Sequence, residues 1–228
     1  ADKYVAFLDG SVMCGRIASS VVGGTESALI HILFRDYGVE PCRAFIDNCQ
    51  RVICRFMLDH GFSVGMGDMV SSQHTEKKVA EIQTKLSKDI AELFKLSVHY
   101  KIKLAPGQSR NDAFEQEVIS KVSGTSLALE KVITDAVPHR NALLVMINAG
   151  SKGKKFNMMQ ISSSLGQQFL QSKRMPHRFE THRALPCYSP FSSLNMESRG
   201  YIFNSFIRGL NPAEFYFHAV GGREGVCD

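Results

Sequence analysis

The sequence predicts an α+β fold that is mostly α-helical, and three patterns lead to that expectation. A hairpin signal stands near the N-terminus, two long amphipathic stretches lie in the middle, and a strongly capped helix begins near the C-terminus. With 228 residues, 44% of them hydrophobic, the chain is long enough to bury a core. No apolar run approaches the roughly 18 residues of a membrane span, so no membrane association is expected.

Short strands are expected at the N-terminus. Two apolar runs, residues 4–8 and 11–15, flank the pair Asp9-Gly10. An Asp-Gly pair between apolar runs is typical of a tight β-hairpin turn, because both of its residues tolerate a positive φ.

Two helices are predicted next. The first follows Gly23-Gly24-Thr25 and ends at Tyr37, and the second begins at Glu40-Pro41 and ends before Gly61. Apolar residues of the second helix recur at helical spacing, which predicts one buried face. Three cysteines are expected to be core residues of this helix: Cys42, Cys49 and Cys54.

A long antiparallel helical hairpin is predicted between residues 76 and 137. Its first helix carries one apolar stripe, at Val79, Ile82, Leu86, Ile90 and Leu93, and continues to Leu104. Residues 105–108 (Ala-Pro-Gly-Gln) break the pattern. The second helix has its stripe at Phe114, Val118, Val122, Leu129 and Val132 and ends near Ala136. A narrow hairpin of this kind serves as an arm or a platform for a partner.

A basic stretch follows the hairpin. Between Asn148 and Arg183 the only acid is Glu180, and the net charge is +6 because seven basic residues are present: Lys152, Lys154, Lys155, Lys173, Arg174, Arg178 and Arg183. Such a concentration is expected of a surface that meets phosphates, and a solvated basic face is the alternative. A helix is predicted from Phe156 through Phe169.

The C-terminal helix has the strongest start signal in the chain. Asn211 can cap the first turn, Pro212 fits the first helical position, and Glu214 can close a capping box. Three glycines then follow within five residues: Gly221, Gly222 and Gly225. Each costs about 1 kcal/mol against alanine inside a helix, which indicates a segment that bends or a close approach to its backbone.

No complete catalytic machinery is visible in the sequence. No pair of aspartates with the D-x-D spacing occurs, so no two-metal carboxylate site is predicted. The six cysteines form no C-x-x-C pair, which predicts neither a zinc site nor a disulfide scaffold and fits a reducing compartment. His177, His182 and Cys187 have a spacing that could suggest a metal site, but no fourth ligand lies nearby, and no metal is predicted.

The C-terminal segment 199–228 closely resembles the largest subunit of multisubunit DNA-directed RNA polymerases, in the eukaryotic, archaeal and large-DNA-virus branch. In that family this segment enters the bridge helix. Further motifs match the family in the same order along nearly the whole chain: Val22-Gly23-Gly24, residues 61–68, residues 149–153, Gly166-Gln167-Gln168 and Lys173-Arg174. Residues 171–174 and 188–195 depart from the cellular enzymes.

The resemblance implies a fragment of that subunit. Residues 1–70 correspond to part of the pore domain, 71–145 to the funnel hairpin, 146–205 to a basic wall of the secondary channel, and 206–228 to the entry and first half of the bridge helix. The catalytic aspartates and the trigger loop of the family lie outside this region. The chain itself is therefore expected to have no catalytic residue and to bind no cofactor, with the magnesium of the parent enzyme bound elsewhere.

The resemblance also implies two groups of site residues. Those near the active site on the bridge helix are His218, Gly221, Gly222, Arg223, Glu224, Gly225 and Asp228. Those along the secondary channel, where nucleoside triphosphates enter and amatoxin-type inhibitors bind the RNA polymerase II relative, are Lys152, Asn157, Gln160, Gln167, Gln168, Lys173 and Arg174.

The partners implied are the second-largest and smaller polymerase subunits, template DNA, RNA, nucleoside triphosphates and a transcript-cleavage factor at the funnel. The location implied is the nucleus for a cellular enzyme, or the virion, or the viral factory in the host cytoplasm, for a viral one. The alternative is a stand-alone basic helical module that binds nucleic acid or another partner.

Overall fold

The computed structural model describes residues 4–15, 17–179, 183–189 and 195–228, and about 58% of it is helical, as predicted. The chain divides into two compact units, which are described separately. The first unit comprises the described residues up to Val64 together with Val145–Lys152. The second unit comprises Gly65–Leu144 and the described residues from Gly153 to Asp228, and we call it the hairpin unit.

The first unit confirms the predicted N-terminal elements. Strands β1 (Ala6–Leu8) and β2 (Ser11–Cys14) pair antiparallel across the turn at Asp9-Gly10, where both residues have a positive φ. A short helix, α1 (Ser19–Val22), precedes α2 (Leu29–Tyr37) and α3 (Val39–His60), and α2 packs against α3.

The expected burial of the α3 cysteines is confirmed for Cys42 and wrong for Cys54. Cys42 is buried near the contact with α2, and its Sγ lies 3.8 Å from Ile30 O. Cys49 is half-buried and Cys54 is exposed, as are several apolar neighbours such as Phe56 at 56%. Periodicity identifies the apolar face of a helix, but burial of that face also requires a packing neighbour along its whole length.

The hairpin unit is built on two long antiparallel helices, as predicted. Helix α4 (Gln73–Val98) and helix α5 (Arg110–Ala136) are each capped by a serine, because Ser72 Oγ accepts a hydrogen bond from Thr75 N and Ser109 Oγ from Asp112 N. Their facing stripes form the largest part of a core cluster: Leu86, Ile90, Leu93, Phe114, Val118, Val122, Met196 and Tyr201. Two residues of this cluster, Met196 and Tyr201, come from the segment before α8.

Helix α4 ends six residues before the predicted boundary, at Val98 rather than Leu104. Tyr100 has a φ of +61°, and the amides of Tyr100 and Lys101 bond back to the carbonyls of Ser97 and Leu96. This left-handed closure ends the helix before the predicted Pro-Gly break is reached.

The predicted helix from Phe156 through Phe169 is wrong in its second half. Helix α7 (Lys155–Ser162) follows α6 (Ala142–Asn148) and ends well before Phe169. Gly166 has a φ of +74° and begins β3 (Gly166–Gln167), which pairs with β6 (Tyr201–Ile202). A second hairpin, β4 (Phe169–Leu170) with β5 (Lys173–Arg174), follows at once. Strand β3 forms because its partner, β6, comes from a distant segment, which a local pattern does not reveal, whereas β4 pairs with β5 across a turn of two residues.

The segment after β6 is anchored to the helices around it. Gln83 Nε2 of α4 donates to Phe203 O at 3.1 Å, and Phe206 N donates to Gln160 O of α7 at 3.2 Å. Arg208 and Glu76 form a partly exposed ion pair at 3.5 Å. These contacts fix the start of the last helix, α8 (Pro212–Cys227), on the hairpin unit.

The hairpin core predicts a matched pair of leucine variants. Leu86→Ala removes a side chain that is 2% exposed and leaves a cavity between α4 and α5, so we expect a loss of about 2–5 kcal/mol in the free energy of unfolding. Leu127→Ala, at a position on α5 that is 68% exposed, should change that free energy by less than about 0.5 kcal/mol. Urea unfolding followed by circular dichroism measures both, and equal losses would contradict the assignment of the core.

Candidate functional site

Helix α8 begins with the predicted capping box. Asn211 Oδ1 accepts from Glu214 N at 2.8 Å, and Glu214 Oε2 accepts from Asn211 N at 3.0 Å. The same carboxylate oxygen accepts from Asn204 Nδ2 at 2.9 Å, and the side chain of Glu214 is buried. The helix continues through all three glycines to Cys227. A cap that also binds the preceding segment fixes where α8 starts and in which direction it runs.

The β4–β5 hairpin lies along one face of α8. At one end Gln168 Oε1 lies 3.3 Å from His218 Nδ1, and at the other Gln171 N donates to Glu224 Oε1 at 2.6 Å. Between these contacts Phe169 O lies over Gly221. The three α8 positions are three residues apart and therefore share one face of the helix. We call this set of contacts the hairpin–α8 contact.

His218 occupies the end of this contact nearest the start of α8. Its ring also packs edge-on against Phe206, with ring centroids 5.5 Å apart and an interplanar angle of 72°. Since Gln168 Oε1 is an acceptor, the contact uses a hydrogen on His218 Nδ1. The imidazole is thus held from two sides, and its remaining nitrogen is not used in this contact.

The glycines of α8 are in different surroundings. A Cβ at Gly221 would lie 3.4 Å from Phe169 O and 3.6 Å from Gln168 Oε1, in ordinary van der Waals contact. A Cβ at Gly222 or Gly225 would meet nothing within 4 Å. The close backbone approach inferred from the sequence therefore belongs to Gly221.

The turn of the β4–β5 hairpin has a left-handed backbone. Gln171 has a φ of +51° and Ser172 a φ of +60°, the combination of a two-residue type I′ turn. Neither residue is glycine, so the turn carries backbone strain that the surrounding contacts must offset. One such contact is the bond from Gln171 N to Glu224.

A charged cluster within the hairpin unit links α5 to strand β5 and to the segment before β6. Glu115 of α5 accepts two bonds from Arg174, at 2.7 and 2.9 Å, and one from Arg199 at 3.1 Å. Arg174 has 2% of its side chain exposed. Burial raises the pKa of the Glu115 carboxyl, but the hydrogen bonds and charge of Arg174, together with the charge of Arg199, outweigh it and hold that pKa below its usual value.

The structure distributes the residues expected along the secondary channel. Lys152 is exposed in the first unit, and Asn157 is exposed on α7, where its Oδ1 caps the helix by accepting from Lys154 N. Gln160 is half-buried. Gln167 is buried and donates to Arg199 O at 2.7 Å.

The basic stretch presents fewer free charges than its composition suggests. Arg174 is buried against Glu115, and Arg183 lies 5.7 Å above the ring of Phe179. Five of the seven basic side chains are exposed: Lys152, Lys154, Lys155, Lys173 and Arg178. Glu180 and His182 lie outside the described residues.

The residues expected on the bridge helix that lie beyond the contact face solvent, apart from Glu224. Arg223, Gly225 and Asp228 are exposed, whereas Glu224 is half-buried by its bond to the hairpin turn. An open groove of about 390 Å³ runs beside them, between α8 and the segment that follows β5, and includes Tyr216, Val220, Arg223 and Arg178. The groove offers two guanidinium groups, the carboxylate of Glu224 and an aromatic ring, and the guanidinium groups suit the binding of an anion.

Within the described ranges no cluster of three His, Cys, Asp or Glu side chains is placed to hold a metal ion. Among the helices of the described residues, none is both long and apolar enough to cross a membrane.

The sequence reasoning missed three residues of this region: Glu115, Arg199 and Gln171. Glu115 directly follows Phe114 of the apolar stripe of α5. This position indicates that Glu115 is partly buried, but it does not indicate which residue pairs with its carboxylate. Gln171 takes part through its backbone amide, a contribution that no side-chain pattern reveals.

Comparisons with known proteins give matches along the chain. The family model described as RNA polymerase Rpb1, domain 3, matches residues 1–69, and the one described as RNA polymerase Rpb1, domain 4, matches residues 94–202. The DNA-directed RNA polymerase III subunit rpc1 of Dictyostelium discoideum is 33% identical over 228 residues, which is 100% of this chain and 16% of that protein. The DNA-directed RNA polymerase II subunit RPB1-B of Trypanosoma brucei brucei is 32% identical over 227 residues, which is 100% of this chain and 13% of that protein.

The charged cluster predicts a pH dependence of stability. Because the folded-state pKa of Glu115 is lowered, its contribution is complete above the usual glutamate pKa and is lost as the pH falls through the folded-state pKa. Glu115→Gln should therefore be less stable at neutral pH, by about 2–3 kcal/mol, and should lose less further stability between about pH 6 and pH 3. Urea unfolding of both chains across that range measures this, and parallel pH profiles would count against it.

Proposed function

The chain belongs to the family of largest subunits of DNA-directed RNA polymerases, and from that premise we propose that it forms part of a polymerase that synthesises RNA on a DNA template. It spans 16% and 13% of the lengths of the two relatives described above, so its work is that of one region of a larger subunit. That region lines the path by which nucleoside triphosphates enter and begins the bridge helix.

The observation that carries this proposal is the hairpin–α8 contact. It involves α8, which corresponds to the bridge-helix entry, and β4–β5, which corresponds to the channel wall. Gln168, His218 and Glu224, all expected from the resemblance, come together in it. Helices α4 and α5 correspond to the funnel, and residues 1–70 to part of the pore domain.

The role of this region is positioning and gating. The parent enzyme would join a nucleoside triphosphate to RNA by in-line attack of the 3′-hydroxyl, with two magnesium ions. The described residues offer no cluster of carboxylate or imidazole ligands that fits those ions, so no step through magnesium is assigned to this chain. The exposed lysines would raise the local concentration of triphosphates near the channel.

The partners follow from the same premise. The other subunits, the template DNA and the transcript would surround this region in the assembled enzyme, and a cleavage factor would approach along α4 and α5. The names of the relatives, which are subunits of RNA polymerases II and III, support a nuclear location. A viral polymerase would instead be found in the virion or the viral factory, and fractionation distinguishes the two.

The lysines provide the test of the proposed function. Lys154, Lys155 and Lys173, all exposed in the hairpin unit, are changed to Gln together in the complete polymerase. We expect the KM for nucleoside triphosphates to rise about threefold to tenfold with kcat nearly unchanged, because steering acts on entry, and the effect to shrink at high salt. Single-nucleotide addition on a scaffold of template and primer measures both constants.

The matched control replaces the same three lysines by arginine, which keeps the charge and should leave the KM as it is. An unchanged KM in the Gln variant at low salt would contradict the channel assignment. Salt-sensitive binding of RNA by the isolated chain, with no effect of its lysines on the polymerase, would favour the stand-alone binding module.

The glycines of α8 give a second test, by comparing two neighbours. Gly221→Ala and Gly222→Ala each stabilise the helix by about 1 kcal/mol. Of these two, only the Cβ at Gly221 would contact the β4–β5 hairpin. If α8 must bend during translocation, both variants should alter the elongation rate in the complete enzyme. A normal rate in Gly222→Ala would contradict a requirement for glycine at this position during bending.

A further inference from the structure

Glu115 lies at the junction of the funnel-type hairpin and the strands that contact α8. Its two carboxylate oxygens bind side chains from two segments that lie far apart in the sequence. One partner is Arg174 of β5, and the other is Arg199 of the short 3₁₀ turn Glu197–Arg199.

One chain of contacts, which we call the Arg174 route, runs from Arg174 to the middle of the hairpin–α8 contact at Gly221 and to its end at Glu224. Arg174 is the cross-strand partner of Phe169 in the β4–β5 register, and Phe169 O lies over Gly221. In the turn that joins the two strands, Gln171 N donates a hydrogen bond to Glu224. Fixing Arg174 therefore fixes both strands of the hairpin against α8.

The Arg199 route leads to the near end of the same contact. Arg199 O accepts from Gln167 Nε2 at 2.7 Å, and that amide also donates to Gln168 O at 2.9 Å. Gln168 in turn contacts His218. The two arginines bound by Glu115 thus reach α8 by separate chains of contacts.

We propose that Glu115 is a positioning residue that holds the β4–β5 hairpin in register against α8, so that the funnel-type hairpin and the bridge-type helix act on each other through it. This inference rests on the proposed function, because it assigns Glu115 an effect on nucleotide addition. The effect is on the geometry of α8, and Glu115 itself does not touch the reacting groups.

Two features separate positioning from plain stabilisation. A buried ion pair is a weak source of net stability compared with apolar packing of the same volume, but its bidentate geometry fixes orientation. The cluster is also incompletely paired, because Arg199 Nε is buried with no hydrogen-bond partner among the described residues. An unpaired buried donor costs free energy, so the cluster contributes less net stability than its number of hydrogen bonds suggests.

The test uses the complete polymerase with Glu115→Gln, which keeps the shape of the side chain and removes its charge. We expect the maximal rate of nucleotide addition per active complex to fall about threefold to tenfold, with less than about a twofold change in KM. Hydrogen exchange of the α8 amides from 218 to 224 should increase. Counting active complexes by single-turnover addition removes any effect of poor assembly.

The control is Glu117→Gln, the same change two residues further along α5 on an exposed side chain, which should have a normal rate. Glu115→Asp covers the case in which Glu115→Gln fails to assemble. The shorter side chain keeps the buried charge but cannot span both arginines, so a smaller fall of the same kind is expected.

A double-variant cycle with Glu224→Ala completes the test. Glu224 lies at the far end of the Arg174 route, so its effect on rate should be less than additive with that of Glu115→Gln. Full additivity, an unchanged rate, or an equal defect in Glu117→Gln would overturn the positioning role. If the lysine variants shift KM as expected while Glu115→Gln is normal, the proposed function stands and this inference fails. Loss of the lysine effect would instead count against the proposed function.

Discussion

A single carboxylate between two arginines holds together three segments that are distant in the sequence. Glu115 belongs to α5, Arg174 to β5, and Arg199 to the turn before β6. The guanidinium of Arg174, which is 2% exposed, requires a partner at close range. The free-energy cost of burying it unpaired is much larger than the net stability that the ion pair contributes. The strands that meet α8 are therefore fixed relative to the long hairpin, and together with the capped segment before α8 they fix the position of that helix.

The long helices could be predicted because their determinants are local. The stripes of α4 and α5 recur every three or four residues, and the capping box of α8 lies within four consecutive residues. The helix ends are harder to predict. Helix α4 ends at a left-handed backbone conformation of Tyr100, which a tyrosine does not favour and which the sequence therefore does not indicate. The family resemblance was visible for a related reason: its motifs are short and contiguous.

What could not be predicted depends on strand and charge pairing, which a local helical pattern does not reveal. Residues 166–170 have enough apolar character for a helix, and become strands because Tyr201–Ile202 and the β5 strand supply partners. Among the expected channel residues, Arg174 proved to be buried, because its charge is bound to a glutamate 59 residues away in the chain. The sequence shows which residues are charged and which face of a helix is apolar. Which of the charged side chains remain unpaired depends on contacts between distant segments of the fold.

The close approach of Phe169 O to Gly221 has an evolutionary consequence. An alanine at this position would already be in ordinary van der Waals contact with Phe169 O, so the β4–β5 hairpin bounds the space beside its Cβ. The restriction comes from the hairpin and not from the helix itself. A lineage that moved or shortened the β4–β5 hairpin would release this position to vary, whereas Gly222, which has open space around it, is free of this particular restriction. The hairpin and the residue at position 221 are therefore expected to change together.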